Sequence, residues 1–354
     1  MISELLSLKF FENNIKKFPI CLIDCGASGG IDSIFSDITN QEFTASYGFE
    51  PNPEEYKKLK SSSKIKYFPY AITDTSGKKI FYAYKSQGSL SIQESFKDGT
   101  IKKKERKKIK KINVRSETIE SLYKKKIINC PPNIIKTDIE GYDYYALKGG
   151  NKFFESDDVL AVKFEFSWKE DSKNGDFSKL HSFLNKNEYY IFGMTYGQSI
   201  FGFFQHGDAL YLKSIDRILT KKKSKKKIRN LIFKLILISV NLRLYEYANL
   251  IIIKSKNKKI ITLNEFEELK KVIETRFFLP EIFYTNKLCQ KISLIFFFIV
   301  MILNGVSYRK KSVPKYNQLI KPKILFSKYK FFKIRNYKIF EKLAKKKLFK
   351  EVRY

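Results

Sequence analysis

The chain has 354 residues, 43% of them apolar, with 69 Lys and Arg against 36 Asp and Glu and a formal net charge of +33. That apolar fraction excludes wholesale disorder, and the length suits one large or two medium cores. The charge is uneven: residues 215–354 hold 36 basic and 9 acidic side chains, whereas residues 1–214 hold 33 and 27, so the second part is expected to meet an anionic partner such as a membrane surface, a nucleic acid or an acidic glycan.

In chain order, residues 1–18 read as an amphipathic helix and not as a signal peptide, because Glu4 interrupts any apolar run. From Pro19 strands and helices alternate. PICLID (19–24) is a short apolar strand followed by a Gly-rich turn, TASYGFE (44–50) a second strand, and PEEYKKLK (53–60) a helix opened by proline. KIKYFPYAI (64–72) and KKIFYAY (78–84) read as strands, and the charged stretch 97–111 as an exposed loop. ETIESLY (117–123) is helical, NIIKTDI (133–139) a buried strand, and YDYYALKGG (142–150) a short helix stopped by glycine. VLAVKFEF (159–166), YYIFGMTY (189–196) and DALYLK (208–213) are strands, with a helix over 178–187 between the first two. This alternation predicts an α/β fold with a mainly parallel sheet. In such sheets ligands bind beyond the carboxyl ends of the strands, where the strand order reverses.

After residue 214 the texture changes. KKKSKKK (221–227) is a basic linker or helix start, and 228–253 is apolar but interrupted by charge. ISLIFFFIVMIL (292–303) is uncharged but short of the roughly 20 residues that span a bilayer. Its basic flanks suit an interfacial segment on anionic lipid; the blander expectation is a small helical domain whose core includes the run. Lys and Arg interleaved with Tyr and Phe over 309–354 also suit nucleic acid, though no nucleic-acid motif accompanies them. Cys21, Cys25, Cys130 and Cys289 lack metal-ligand spacing and read as buried thiols in a reducing compartment.

Three segments carry chemistry. In IDCGASGG (23–30) a strand ends in an acid and a glycine turn lets backbone approach a ligand, as it also would in any α/β protein with a Gly-rich first turn. In YGFEPNP (47–53), Glu50 closes the second strand and is placed to accept hydrogen bonds from ribose hydroxyls, or else to cap the following helix from the surface. In IIKTDIEGYD (134–143), Asp138 and Glu140 stand at i and i+2 near a strand end, where buried charge must be paired or used. Lys136 is expected to pair with these acids, or else to touch an anionic substrate. NCPPN (129–133) precedes a strand and is a turn, not an amine-methyltransferase motif. His181 is structural in its helix, and His206 is an exposed loop residue before the last strand. Trp168 lines either an acceptor site or the core.

The succession IDCGASGG, GFEPNPEEYKKL, YAITDTSGKKIFY, GSLS (88–91), VRSETIESL, IIKTDIEGYDYYALKGG and VKFEF resembles the FkbM family of S-adenosylmethionine-dependent methyltransferases over about residues 20–213. The resemblance implies a Rossmann-like class I methyltransferase domain over 1–214, with a mainly parallel seven-stranded sheet. Residues 215–354 then form a basic, mostly helical extension. It implies O-methylation of a hydroxyl on a sugar, glycan or related metabolite. Asp24, Gly26, Ala27, Ser28 and Gly30 would line the cofactor pocket, and Glu50, followed by Pro51 and Asn52, would hold the ribose. Ala71 and Ile72, at the end of the third strand, would lie against the adenine with Asp74 near its amino group. Ser89 and Ser91 match a segment near the active site. Ser28 and Cys25 depart from the commoner DVGANxG form. Asp138 and Glu140 are the candidate bases; Asp138, alone or with Glu165, is alternatively a divalent metal site. The expected location is cytoplasmic, at or near the inner face of the membrane. The alternatives are a tethered binding protein with a degenerate domain, and a methyltransferase acting on protein or RNA.

Overall fold

The computed structural model describes residues 2–83, 90–91, 110–167, 177–195, 197–198, 204–220 and 223–274. Two short helices, α1 (Ile2–Ser7) and α2 (Lys9–Lys17), open the chain where the sequence predicts one; they bury Ile2, Leu5, Phe11 and Ile15. The first part then continues with β1 (Ile20–Cys25), a 3-10 turn (Ser33–Phe35), α3 (Ser36–Thr39), β2 (Thr44–Phe49), α4 (Pro53–Tyr56) and β3 (Ile65–Phe68). Next come β4 (Tyr70–Ile72), β5 (Gly77–Ala83), β6 (Leu90–Ser91), β7 (Lys110–Glu117), α5 (Ile119–Lys124), β8 (Ile134–Thr137), α6 (Asp143–Lys148) and α7 (Asn151–Glu155). The last strands are β9 (Ala161–Ser167), β10 (Tyr189–Met194), β11 (Gly197–Gln198) and β12 (Phe204–Lys213), with α8 (Phe177–Lys186) between β9 and β10. Helices α9 (Ile215–Thr220), α10 (Lys225–Asn241), α11 (Tyr245–Asn257) and α12 (Leu263–Glu274) come after them.

The main sheet has the order β10-β12-β9-β8-β1-β2-β3, with β11 paired only to β12. Pairs β1·β2, β1·β8, β2·β3 and β8·β9 are parallel, and β12 runs antiparallel to both β9 and β10. The connections from β1 progress through β2 to β3 on one side, and those from β8 through β9 progress on the other. The strand order therefore reverses between β1 and β8, which makes the carboxyl ends of these two strands the place for a ligand. All six residues of β1 are buried, as a central parallel strand covered on both faces requires. On one face Cys21, Ile23, Tyr47, Phe49, Ile135, Val162 and Phe164 pack with side chains of α5 to α8.

The expected single strand over 64–72 is divided. Pro69 stands between β3 and β4, and β4 leaves the main sheet to pair with β7 in a second sheet of order β4-β7-β5-β6. Proline donates no ladder hydrogen bond, so the chain changes partners there.

The compact unit runs from Met1 to Ile273, past the charge boundary at residue 214. Phe233 of α10 stacks on Phe11 with ring centroids 5.0 Å apart. The buried Lys234 ammonium donates to Asn133 Oδ1 at 2.8 Å, and the same oxygen accepts from the Cys21 N–H at 3.1 Å. Asn133 also donates to the Asp158 carbonyl, so one amide ties the amino ends of β1, β8 and β9 to α10. Asn241, at the other end of α10, donates to the Ile34 carbonyl at 2.9 Å. Among the described residues no helix is long and apolar enough to cross a membrane.

A second tie is ionic. Asp157 meets Lys213 at 2.8 Å, Lys223 at 2.6 Å and Arg217 at 3.3 Å, and both Asp157 and Lys213 are fully buried. Burial opposes the Asp157 charge, but the hydrogen bonds and charges of Lys213 and Lys223 outweigh it and hold the carboxyl well below the usual range. Its native pKa is depressed, so its contribution is present above the ordinary carboxylate pKa of about 4 and fades as pH falls further. Asp157→Asn keeps a side chain that tolerates the positive φ of 58° there but strands Lys213. Denaturant unfolding at pH 7 is expected to show a loss of about 3–5 kcal/mol, with a shallower acid-side decline below about pH 4 than the parent protein.

Candidate functional site

The site grows from the register across the switch point. Asp24 of β1 lies opposite Lys136 of β8, and Lys136 opposite Lys163 of β9. Asp24 is wholly buried; it accepts from the Asp32 N–H at 2.8 Å and lies 3.1 Å from the Lys136 ammonium. Burial pushes Asp24 up to about 6 against the pull of Lys136. Lys136 is itself buried, which lowers its pKa, but Asp24 and Asp138 outweigh that and hold it above its ordinary value. Its ammonium also donates to the Gly26 carbonyl at 3.1 Å and stands 3.7 Å from Asp138. Of the two acids expected to pair with Lys136, Asp138 does so, while Asp24, not among them, is the nearer partner. Asp32 extends the chain of charge: it meets Lys163 at 2.7 Å, and Lys163 meets Asp208 of β12 at 3.3 Å. Asp32, Lys163 and Asp208 do not stand out in the sequence as site residues. Each charge is isolated there, and only strand register brings them together.

The glycine turn does two jobs. Gly26 has φ +82°, and a Cβ there would lie 2.0 Å from the Asp138 carbonyl, so the residue lets the ends of β1 and β8 close together. Its N–H and that of Ala27 both donate to the Phe49 carbonyl, and Ala27 is buried. Gly29 and Gly30 also take positive φ, and a Cβ on Gly29 would meet open space. Ser28 is exposed, its hydroxyl 3.5 Å from Glu55. Gly48 of β2 accommodates the Tyr67 ring, which a Cβ would strike at 2.4 Å, and the Tyr67 hydroxyl accepts from the Ile31 N–H.

Glu50, just past β2, is 5% exposed and not a surface cap. Its Oε1 accepts from the Asn52 N–H at 2.8 Å, and Asn52, following Pro51, performs the capping by accepting from the Glu54 N–H. Among the described residues no other hydrogen bond reaches the Glu50 carboxylate. Burial pushes Glu50 up to about 7, against the opposing Asn52 hydrogen bond.

At β8 the expected geometry of two acids on one strand face does not form. The strand stops at Thr137; Asp138 donates its N–H to the Cys25 carbonyl, and the chain then turns through Glu140 at φ +54° and Gly141 at φ +88°. Asp138, half-exposed, stays at the edge beside Lys136, while Glu140 is carried into an exposed turn. Glu165 of β9 is pushed up to about 8 by burial first and then by Asp138, Asp143, Glu140 and Asp208. Asp143, fully buried at the start of α6, is pushed up to about 7 by burial. Among the described residues no three His, Cys, Asp or Glu side chains converge as a metal site.

The remaining candidates scatter. Ala71 and Ile72 are buried on β4, paired with Ser116 and Glu117 of β7, and do not end a strand of the main sheet. Asp74 is half-buried, with its charge felt at Tyr142. His181 is structural, with Nδ1 2.9 Å from the Tyr211 hydroxyl. His206 lies within β12, not in the loop before it, and is exposed. Ser91 belongs to β6; Ser89 and Trp168, the run 292–303 and Cys289 lie outside the described residues.

No curated protein matches the chain. Solved structures similar to it include a candidate rRNA methylase from Clostridium thermocellum (12% identity over 59% of this chain and 97% of that one, TM-score 0.30). Others are magnesium protoporphyrin IX methyltransferase from Synechocystis PCC 6803 with bound SAM (9%, 60% and 78%, 0.29) and precorrin-6y C5,15-methyltransferase from Geobacter metallireducens GS-15 (10%, 58% and 86%, 0.27). Likeness at that level carries no weight beside the sequence match. Residues 24–191, which hold the glycine turn, Glu50, Asp138 and Glu165, match the methyltransferase FkbM domain.

Proposed function

We propose that the carboxyl edge at β1, β2 and β8 binds S-adenosylmethionine and that the domain moves the methyl group onto a hydroxyl, on a sugar, a glycan or a related metabolite. The observation that carries this reading is Glu50. A buried carboxylate with one backbone N–H partner, one strand away from a glycine turn at the switch point, suits a ribose diol, which offers two donors. Gly29 leaves open backbone for the methionine end, with Gly30 next to it against the Tyr67 hydroxyl. Asp24 acts one step back: it anchors the Asp32 N–H and Lys136, and so fixes the turn.

The bound sulfonium would supply an already activated methyl group. What remains for the protein is alignment of the acceptor and removal of its proton. Asp138 stands at the edge with a half-exposed carboxylate and takes that proton, with Lys136 beside it to stabilise the charge before transfer. Glu165, held protonated near neutral pH, donates a hydrogen bond to the acceptor and orients it. Glu140, in its exposed turn, contacts the outer part of the acceptor.

Calorimetry on the full chain is expected to show S-adenosylmethionine binding that Glu50→Ala weakens at least about tenfold. Undiminished affinity in that variant would overturn the ribose assignment. Affinity should fall as pH drops from 8 to 5, because Glu50 and Asp24 take up protons near 7 and 6 and a neutral carboxyl is the weaker acceptor. Stability of the free protein should move the other way. The native Glu50 pKa lies above its unfolded value, so its stabilising proton is fully present below about pH 4 and lost as pH rises through 7. Glu50→Gln, measured by urea unfolding at pH 8, should therefore be more stable than the parent by about 1–3 kcal/mol.

A further inference from the structure

An open cleft of about 810 Å³ lies outside the methyl-transfer site. It is lined by Lys225, Lys226 and Arg229 of α10, by Lys256 of α11, and by the link through Lys259, Ile260 and Ile261 to Leu263. Helix α10 runs from the amino ends of the strands, where Lys227 meets Asp158 at 3.0 Å, to the carboxyl edge, where Asn241 reaches Ile34. The cleft is at the first of these ends, about one 17-residue helix length, roughly 25 Å, from the end that reaches Ile34.

Of its five cations only one is paired with a carboxylate among the described residues. Arg229 is committed to Glu265 and to the Ile260 carbonyl. Lys256 lies over the Phe266 ring at 4.0 Å and Lys226 near the Phe18 ring at 5.7 Å. Among the described residues no carboxylate pairs with Lys225, Lys226, Lys256 or Lys259. The amino-terminal end of α10, which opens here with Ser224 as its cap, adds positive potential. Beside these cations Leu263 is 63% exposed, the most exposed large apolar side chain described. The chain's own remainder is an unsuitable occupant: residues 275–354 carry 20 Lys and Arg against 3 Asp and Glu, and like charge repels.

We propose that this cleft docks on an anionic phospholipid surface. Lys225, Lys226 and Lys259 meet headgroup phosphates, and Leu263 enters the acyl boundary. Cations around an exposed apolar residue are the pattern of interfacial binding. Nucleic acid is the poorer fit, because the one aromatic of α12 beside the cleft, Phe266, is buried beneath Lys256 and offers no face for a base. Docked in this way, the protein presents its catalytic edge away from the bilayer.

The test uses the full chain and vesicles of phosphatidylcholine, with and without 30% phosphatidylglycerol, as the chosen composition. Cosedimentation should require the anionic lipid. The triple variant Lys225→Glu, Lys226→Glu, Lys259→Glu should bind at least tenfold more weakly, while calorimetry shows unchanged S-adenosylmethionine binding and hence an intact domain. Leu263→Trp should give a blue-shifted emission on anionic vesicles over the parent's signal, and Leu263→Ser should weaken vesicle binding without changing the affinity for a single-stranded oligonucleotide. Vesicle binding undiminished in the triple variant, or no emission shift in the Leu263→Trp variant, would overturn the proposal. Loss of oligonucleotide binding with vesicle binding retained would overturn it in favour of nucleic acid.

Discussion

The site depends on one buried cation. Lys136 sits where the strand order reverses and serves three anionic or polar groups: the Asp24 carboxylate, the Gly26 carbonyl and the Asp138 carboxylate. Without it, a fully buried Asp24 would have no countercharge, a condition proteins avoid at a cost of several kcal/mol. With it, Asp24 holds the Asp32 N–H, Asp32 holds Lys163, and Lys163 holds Asp208. Four strands and the first loop are thereby locked at one edge. The closeness of that edge also explains Gly26, because a Cβ there would strike the Asp138 carbonyl.

The carboxyls beyond this network are the ones with raised pKa values. Glu50 and Asp143 are buried and Glu165 is half-buried, none of them with a matching cation at hydrogen-bond distance among the described residues, and desolvation dominates each. A fold selected for stability alone would pair or replace them. They lie near the carboxyl ends of β2, β8 and β9, and clustered perturbed carboxyls of this kind mark a candidate functional site. Asp157, by contrast, is buried with three cations and has its pKa lowered; it joins the sheet to the helices after residue 214.

Much of this was legible in the sequence. The alternation of apolar runs and turns gives β1, β2, β8 and β9, and the spacing of the Asp24 and Glu50 motifs places both acids at strand ends. What was not legible depends on contacts between distant residues. Pro69 inside an apolar run signals a break, but not that β4 would pair with a strand some 45 residues on. Asp138 and Glu140 look like a strand pair until the left-handed turn at Glu140 and Gly141 separates them. The charge boundary at 214 suggests a division, yet Lys234, Asn241 and Tyr247 bind back to the first part, and Tyr247 donates to the Lys213 carbonyl and accepts from the Ile215 N–H. Composition reports surface character; it does not report which helix fills a sheet face.

The central claim is that the Glu50 edge holds the nucleoside of S-adenosylmethionine. A crystal structure of the full chain grown with S-adenosylhomocysteine tests it most directly. The account predicts the ribose hydroxyls within hydrogen-bond distance of Glu50 and the homocysteine portion over Gly29 and Gly30. A nucleoside bound elsewhere on the sheet, with Glu50 bonded only to Asn52, would contradict it.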